Sequence, residues 1–224
     1  MTPRRRCVAA TLALITVFAA GCGAETPDYE AVWSTTSSTT SAAPTSTEAP
    51  VPLSQYLASI GVDGKPVAPD RLPDLTVTLP TPPGWKPYTN PNFEPGTRTI
   101  VKGDTYPIAM LVVLELKGDF DAAEAVKHGT GDAELSENFK RLNASEKNWR
   151  GFPSSMIEGS YDLNGQRMQS YNRIVIATGS PPANQRYLVQ LTVTSFAAEA
   201  QAQGKDIETI ISGFTVAPKP AAPK

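Results

Sequence analysis

Residues 155–177 read SMIEGSYDLNGQRMQSYNRIVIA, and this stretch decides the fold. Ser155–Asp162 and Gln166–Ala177 each have the β-branched and aromatic content of a strand. Between them stands Leu163-Asn164-Gly165. Asn-Gly between two strands is a strong hairpin signal, because a type I′ turn needs positive φ at both central residues. The reading predicts an antiparallel hairpin of these two strands.

Working outward, Tyr187–Thr194 predicts another strand, with Tyr187, Val189, Leu191 and Val193 on one face. Ile108–Leu116 (IAMLVVLEL) is almost continuously apolar, which predicts a strand covered on both faces. Leu75–Leu79 alternates as a strand and ends at the proline-rich turn TPPGW, residues 81–85. Thr97–Val101 is a further candidate strand.

Helices are read at four places. Leu53, Tyr56, Leu57 and Ile60 follow helical spacing, and Gly61 supplies a stop. Asp119 is expected to cap a helix carrying Phe120, Ala123 and Val126, stopped by Gly129. Leu135, Phe139 and Leu142 suggest another helix. Ile207, Ile210, Ile211 and Phe214 form the stripe of a last one, with Asp206 near its start. An antiparallel sheet flanked by helices satisfies this order. The expected class is α+β, an α/β/α sandwich.

The chain has 224 residues, enough for one domain plus extensions. It holds one His and two Cys, too few for zinc ribbons, His-ligated metal centres, Cys–His catalysis or a disulfide scaffold. The formal charge of −2 argues against a nucleic-acid partner. No cofactor is expected.

The N-terminus reads as an address. Arg4, Arg5 and Arg6 precede Val8–Ala20, which only Thr11 and Thr16 interrupt. That is a secretory signal, too short for the ~20 apolar residues a spanning helix needs. The stretch ends Ala19-Ala20-Gly21-Cys22 and resembles a bacterial lipoprotein signal, in which cleavage falls between Gly21 and Cys22 and Cys22 carries the lipid. Residues 1–21 are therefore the expected signal peptide. Cleavage would leave 17 basic against 22 acidic side chains, a net charge of −5. Anchoring is stable with two or more acyl chains.

Residues 22–52 read as a tether. From Ser34 to Thr47, 11 of 14 residues are Ser or Thr, too polar to offset ordering entropy by burial. O-glycosylation would suit such a stalk. The folded domain is expected over 53–216, followed by a disordered proline-rich tail over 217–224.

Residues in patterns that carry chemistry are few. His128 suits the C-terminal end of its helix as an imidazolium. No G-x-S-x-G elbow accompanies it. Asp119 and Asp121 read as a cap and a first-turn acid, and Gly129-Thr130-Gly131 as a helix stop. Trp85, Tyr88, Tyr106, Trp149, Phe152, Met156 and Tyr171 supply aromatic or soft apolar surface. They fit a lipid cleft or an ordinary core.

Three segments carry a resemblance: Thr81–Trp85, Gly151–Asp162 and Asp206–Phe214. With Cys22 and the Ser/Thr tether, they are similar to the mycobacterial LpqN/LpqT envelope lipoproteins, the LpqT branch more than the LpqN branch. The resemblance implies a Mog1/PsbP-like fold and a non-enzymatic accessory protein at the cell membrane, facing the outer envelope space. It also implies binding of mycolate-type glycolipid, or contact with the proteins that export it. No ligand residue transfers, so the ligand-binding residues stay unassigned. A protein-interaction adaptor, recognised by host receptors through its acyl chains, is the rival expectation.

Overall fold

The computed structural model describes residues 49–220. The signal peptide, the Gly21/Cys22 cleavage point, the lipidated Cys22 and most of the tether lie outside the described residues.

Among the described residues ten strands form in chain order: β1 (Asp63–Pro66), β2 (Leu75–Thr78), β3 (Lys86–Pro87), β4 (Arg98–Val101), β5 (Ile108–Lys117), β6 (Lys140–Ser145), β7 (Ser154–Leu163), β8 (Gln166–Thr178), β9 (Arg186–Phe196) and β10 (Thr215–Pro218). The helices are α1 (Leu53–Ser59), α2 (Ala122–Ala125), α3 (Gly131–Glu134) and α4 (Ala200–Gly213). The main sheet runs β3-β4-β5-β9-β8-β7-β6, with β1 also on β5; β2 and β10 make a separate ribbon. Every pairing is antiparallel.

The β7–β8 hairpin forms as expected. Asn164 and Gly165 take φ of 51° and 75°, the conformation a type I′ turn requires. Strand alternation then divides the sheet into two faces. Odd positions of β5, β8 and β9 (Ala109, Leu111, Val113, Tyr171, Val175, Val189, Leu191, Val193) meet Ile207, Ile210, Ile211 and Phe214 at α4, with the β2/β10 ribbon beside them. Leu114, Leu116, Ile174, Ile176 and Leu188 face the other way, onto Leu53, Leu57, Phe120 and Val126. The apolar run of β5 is thus covered on both faces, and the class is α+β with a mainly antiparallel sheet.

Several expectations are corrected. Asp121, not Asp119, caps the second helix: its Oδ1 accepts from the amides of Ala123 at 2.8 Å and Glu124 at 3.3 Å. The helix lasts four residues and tightens into a 3₁₀ turn, Val126–His128. The helix read through Leu135, Phe139 and Leu142 does not form. Residues 140–145 instead pair with β7, because that strand would otherwise be left with an open edge. Leu135 and Leu142 are exposed, and only the Phe139 ring lies on the sheet, over Gly159. The last helix starts at Ala200, which puts Asp206 in its middle.

The first residues of the stretch expected as a disordered tail are ordered. β10 continues through Ala217 and Pro218, paired with Thr76 and Leu75. Pro218 is tolerated because the ribbon edge asks no amide of it. The Lys219 amide donates to the Asp74 carbonyl at 2.9 Å, and the Ser180 hydroxyl bonds the Lys219 carbonyl.

Candidate functional site

Of the seven residues proposed for a cleft, five lie in or against one buried core and two, Tyr88 and Tyr106, lie elsewhere. Trp149, Met156 and Tyr171 are buried together on the α4 face, with Phe152 beside them. Trp85 is buried there too, and its indole donates to Asp206 Oδ2 at 3.1 Å. Tyr88 packs at a loop against Phe93. Tyr106 meets Phe196 edge-on at 5.1 Å, at the strand ends. No single cleft collects them. His128 is half-buried, stacked on Tyr56 at 4.1 Å, with Nδ1 3.3 Å from the Val51 carbonyl oxygen. Among the described residues, no cluster of three or more His, Cys, Asp or Glu stands ready to hold a metal.

A different site emerges from the strand register. On the even face, helical cover reaches Leu114, Ile174 and Leu188. Beyond it, Thr99, Met110, Thr192, Asn172 and Ile157 stand side by side across β4, β5, β9, β8 and β7. The next row reads Val101, Ile108, Thr194, Ser170 and Gly159, and the row nearer the helices reads Val112, Gln190, Ile174 and Ser155. Met110, Val112, Gln190, Thr192 and Asn172 are half-buried. They form a lane with apolar side chains on β5 and polar ones on β9 and β8.

The polar side chains are linked. The Thr192 hydroxyl donates to Asn172 Oδ1 at 2.8 Å; Gln190 Nε2 reaches the Thr192 hydroxyl and Asn172 Nδ2 the Ser170 hydroxyl, each at 3.4 Å. At one end, Tyr161 shares a hydrogen bond with Thr194. Burial holds the Tyr161 phenol above its ordinary pKa, so it stays a neutral donor–acceptor.

Among the described residues of these rows, two buried hydroxyls lack a hydrogen-bond partner. Thr99 Oγ1 and Ser155 Oγ are buried without a hydrogen bond, in residues only 4% and 1% exposed. Leaving a buried hydroxyl unmade costs about 1–3 kcal/mol. Valine would fill the Thr99 position with nearly the same shape and without that cost. Within these rows the charged side chains stand at the two edges: Arg141 on β6, ion-paired with Glu134, and the exposed Lys86 on β3. The lane offers neutral donors and acceptors beside a thioether and a branched methyl group.

The expectation of aromatic walls missed this site because its residues are unremarkable polar ones on separate strands. The available signal was the run of polar residues, Ser170, Asn172, Gln190, Thr192 and Thr194, at alternating positions of strands otherwise covered on both faces.

The family model described as "Probable lipoprotein LpqN" matches residues 49–217. This chain belongs to that LpqN/LpqT lipoprotein family. It is 58% identical to lipoprotein LpqT of Mycobacterium tuberculosis over 212 residues, which is 95% of this chain and 93% of LpqT. It is also 37% identical over 168 residues to the proline-rich 28 kDa antigen of the same species, covering 73% of this chain and 53% of the antigen. The crystal structure of M. tuberculosis LpqN, described as involved in cell envelope biogenesis, superposes with a TM-score of 0.63 at 20% identity. That match covers 75% of this chain and 98% of LpqN, and it shows a shared fold. The solution structure of cyanobacterial PsbP from Synechocystis sp. PCC 6803 superposes with a TM-score of 0.42, which carries no argument about this chain.

Proposed function

We propose that this family member is a non-catalytic accessory lipoprotein of the cell envelope. In this reading it is anchored at the outer face of the cell membrane through acyl groups on Cys22. Its lane on the even sheet face holds the hydroxylated headgroup of a mycolate-type glycolipid, and it serves the proteins that export such lipids. The observation that carries this reading is the Gln190–Thr192–Asn172 ladder with the buried, unpartnered hydroxyl of Thr99 in the same row. A sheet face built only for packing would be apolar there, as it is under α1. Side-chain amides and hydroxyls pair with sugar hydroxyls through neutral hydrogen bonds. Met110 and Val112 offer an apolar strip for the first methylenes of a chain. Membership of the lipoprotein family supports the anchor, and the envelope role described for LpqN supports the setting.

Two experiments test the reading. Native mass spectrometry of gently purified protein should show a retained lipid, and added trehalose mycolate should raise the melting temperature. Absence of both overturns the ligand. A Cys22→Ser variant should leave the detergent phase on phase separation, and its persistence there would overturn the anchor. A chain that binds no lipid yet stays anchored would answer the adaptor description instead.

A further inference from the structure

On the opposite face, β8 carries Tyr171 and Arg173, two residues apart and pointing to the same side. Arg173 is 1% exposed. Its Nε donates to the Tyr171 hydroxyl at 2.5 Å and its Nη1 to the Ser154 hydroxyl at 3.1 Å. Its guanidinium lies 4.1 Å over the ring of Trp149, which is 4% exposed. Arg173 Nη2 and Trp149 Nε1 are both buried without a hydrogen-bond partner. Both groups are donors only. Two donors in one stacked pair, inside the core, require an oxygen acceptor.

We propose that this pair is a second ligand site, and that it takes the carbonyl oxygen of an acyl ester. The acceptor is neutral because the face already holds a carboxyl group: Glu158 is fully buried opposite Tyr171. An anion placed there would meet Glu158. The surroundings suit an acyl chain. Met156 and Leu191 flank Arg173 across the strands, and Phe214 stacks on Trp149 at 6.2 Å.

Entry runs through the turn that carries Trp149. Trp149 and Phe152 exchange backbone hydrogen bonds of 2.9 and 3.0 Å around Arg150 and Gly151, whose φ values are 53° and 87°. Arg150 is exposed; it lies 5.4 Å over the Trp149 ring, and its Nη2 donates to the Ser212 carbonyl of α4 at 3.4 Å. One long hydrogen bond therefore ties the tip of this turn to α4, while the stacking contact of Arg150 stays within the turn. Lifting the turn would expose both donors together.

The site is separate from the lane and does not depend on it. The test titrates ¹⁵N-labelled full chain with 1-monolauroylglycerol, and with the matched ether 1-O-dodecylglycerol, each below its micelle concentration. The ester should move the Trp149 indole N–H resonance downfield and slow its exchange with solvent, while the ether binds at least tenfold more weakly. Arg150→Ala should speed association several-fold. Trp149→Phe should bring ester and ether to equal affinity; if that variant fails to fold, the ester–ether comparison in the unaltered chain still decides. Equal binding of the two lipids overturns the site. So does a Trp149 N–H that contacts a long-lived water the ester never displaces. An ester that moves the Asn172 and Gln190 amides while leaving Trp149 unchanged also overturns it, and leaves the lane standing.

Discussion

The hydroxyl of Thr192 on β9 donates to the side-chain carbonyl of Asn172 on β8 at 2.8 Å, on a sheet face that is sealed by leucine and isoleucine under α1. This bond marks where packing gives way to a polar lane. It also separates stability from binding. Replacing both partners of a hydrogen bond by apolar groups of similar shape is nearly neutral for stability.

The double variant Thr192→Val with Asn172→Leu should therefore unfold within about 1 kcal/mol of the parent. Its affinity for a sugar-headed lipid should fall at least tenfold. Urea denaturation and calorimetric titration check the two halves. A variant that loses stability and keeps binding would place the ladder in the scaffold.

The buried Asp74 tests the other end of the molecule. Tyr187 donates to Asp74 Oδ1 at 2.7 Å, while Oδ2 is buried without a partner. Burial, with Asp74 close by, raises the Tyr187 pKa, so the phenol remains protonated and donating. Tyr187→Phe strands the carboxyl group and should cost about 2–3 kcal/mol in denaturant unfolding.

Asp206 gives a pH dependence. Its carboxyl pKa lies below the ordinary 3.8, chiefly through the hydrogen bond from Lys102 at 2.7 Å, with the Trp85 indole assisting against burial. A depressed carboxylate pKa stabilises the fold above the unfolded-state value, and this contribution is lost as pH falls through the folded-state value. Against Asp206→Asn, the parent's advantage should be constant above about pH 5 and shrink below the ordinary 3.8. Lys102 is 46% exposed, so the advantage is at most about 1 kcal/mol. Thermal melts across pH 2.5–7, about one every half unit, would check this.

Gly159 is held by its neighbour. A Cβ there would stand 2.3 Å from the Phe139 ring and 2.8 Å from the Lys140 carbonyl oxygen. Gly159→Ala should cost about 1–3 kcal/mol, the usual range for overpacking. Gly159→Ala with Phe139→Leu should recover part of the loss.

That same contact shows what the sequence could not reveal. Leu135, Phe139 and Leu142 share helical spacing, yet Phe139 is drawn onto Gly159 and residues 140–145 become an edge strand. Edge pairing is a long-range demand of β7 that no local period reports. The hairpin at Asn164-Gly165 was legible because its turn chemistry is local, and the apolar run of β5 because it must be covered on both sides. The lane was hidden for the opposite reason. Thr99, Asn172 and Thr192 meet only through strand register, and each alone reads as an ordinary polar residue.

The central claim is that the lane binds a neutral hydroxylated headgroup. It is tested most directly by following the side-chain amide resonances of Asn172 and Gln190 while adding a short-chain alkyl disaccharide below its micelle concentration. The account predicts saturable shifts of both amides, which the phosphocholine lipid of equal chain length does not produce. Unmoved amides, or equal shifts with phosphocholine, would contradict it.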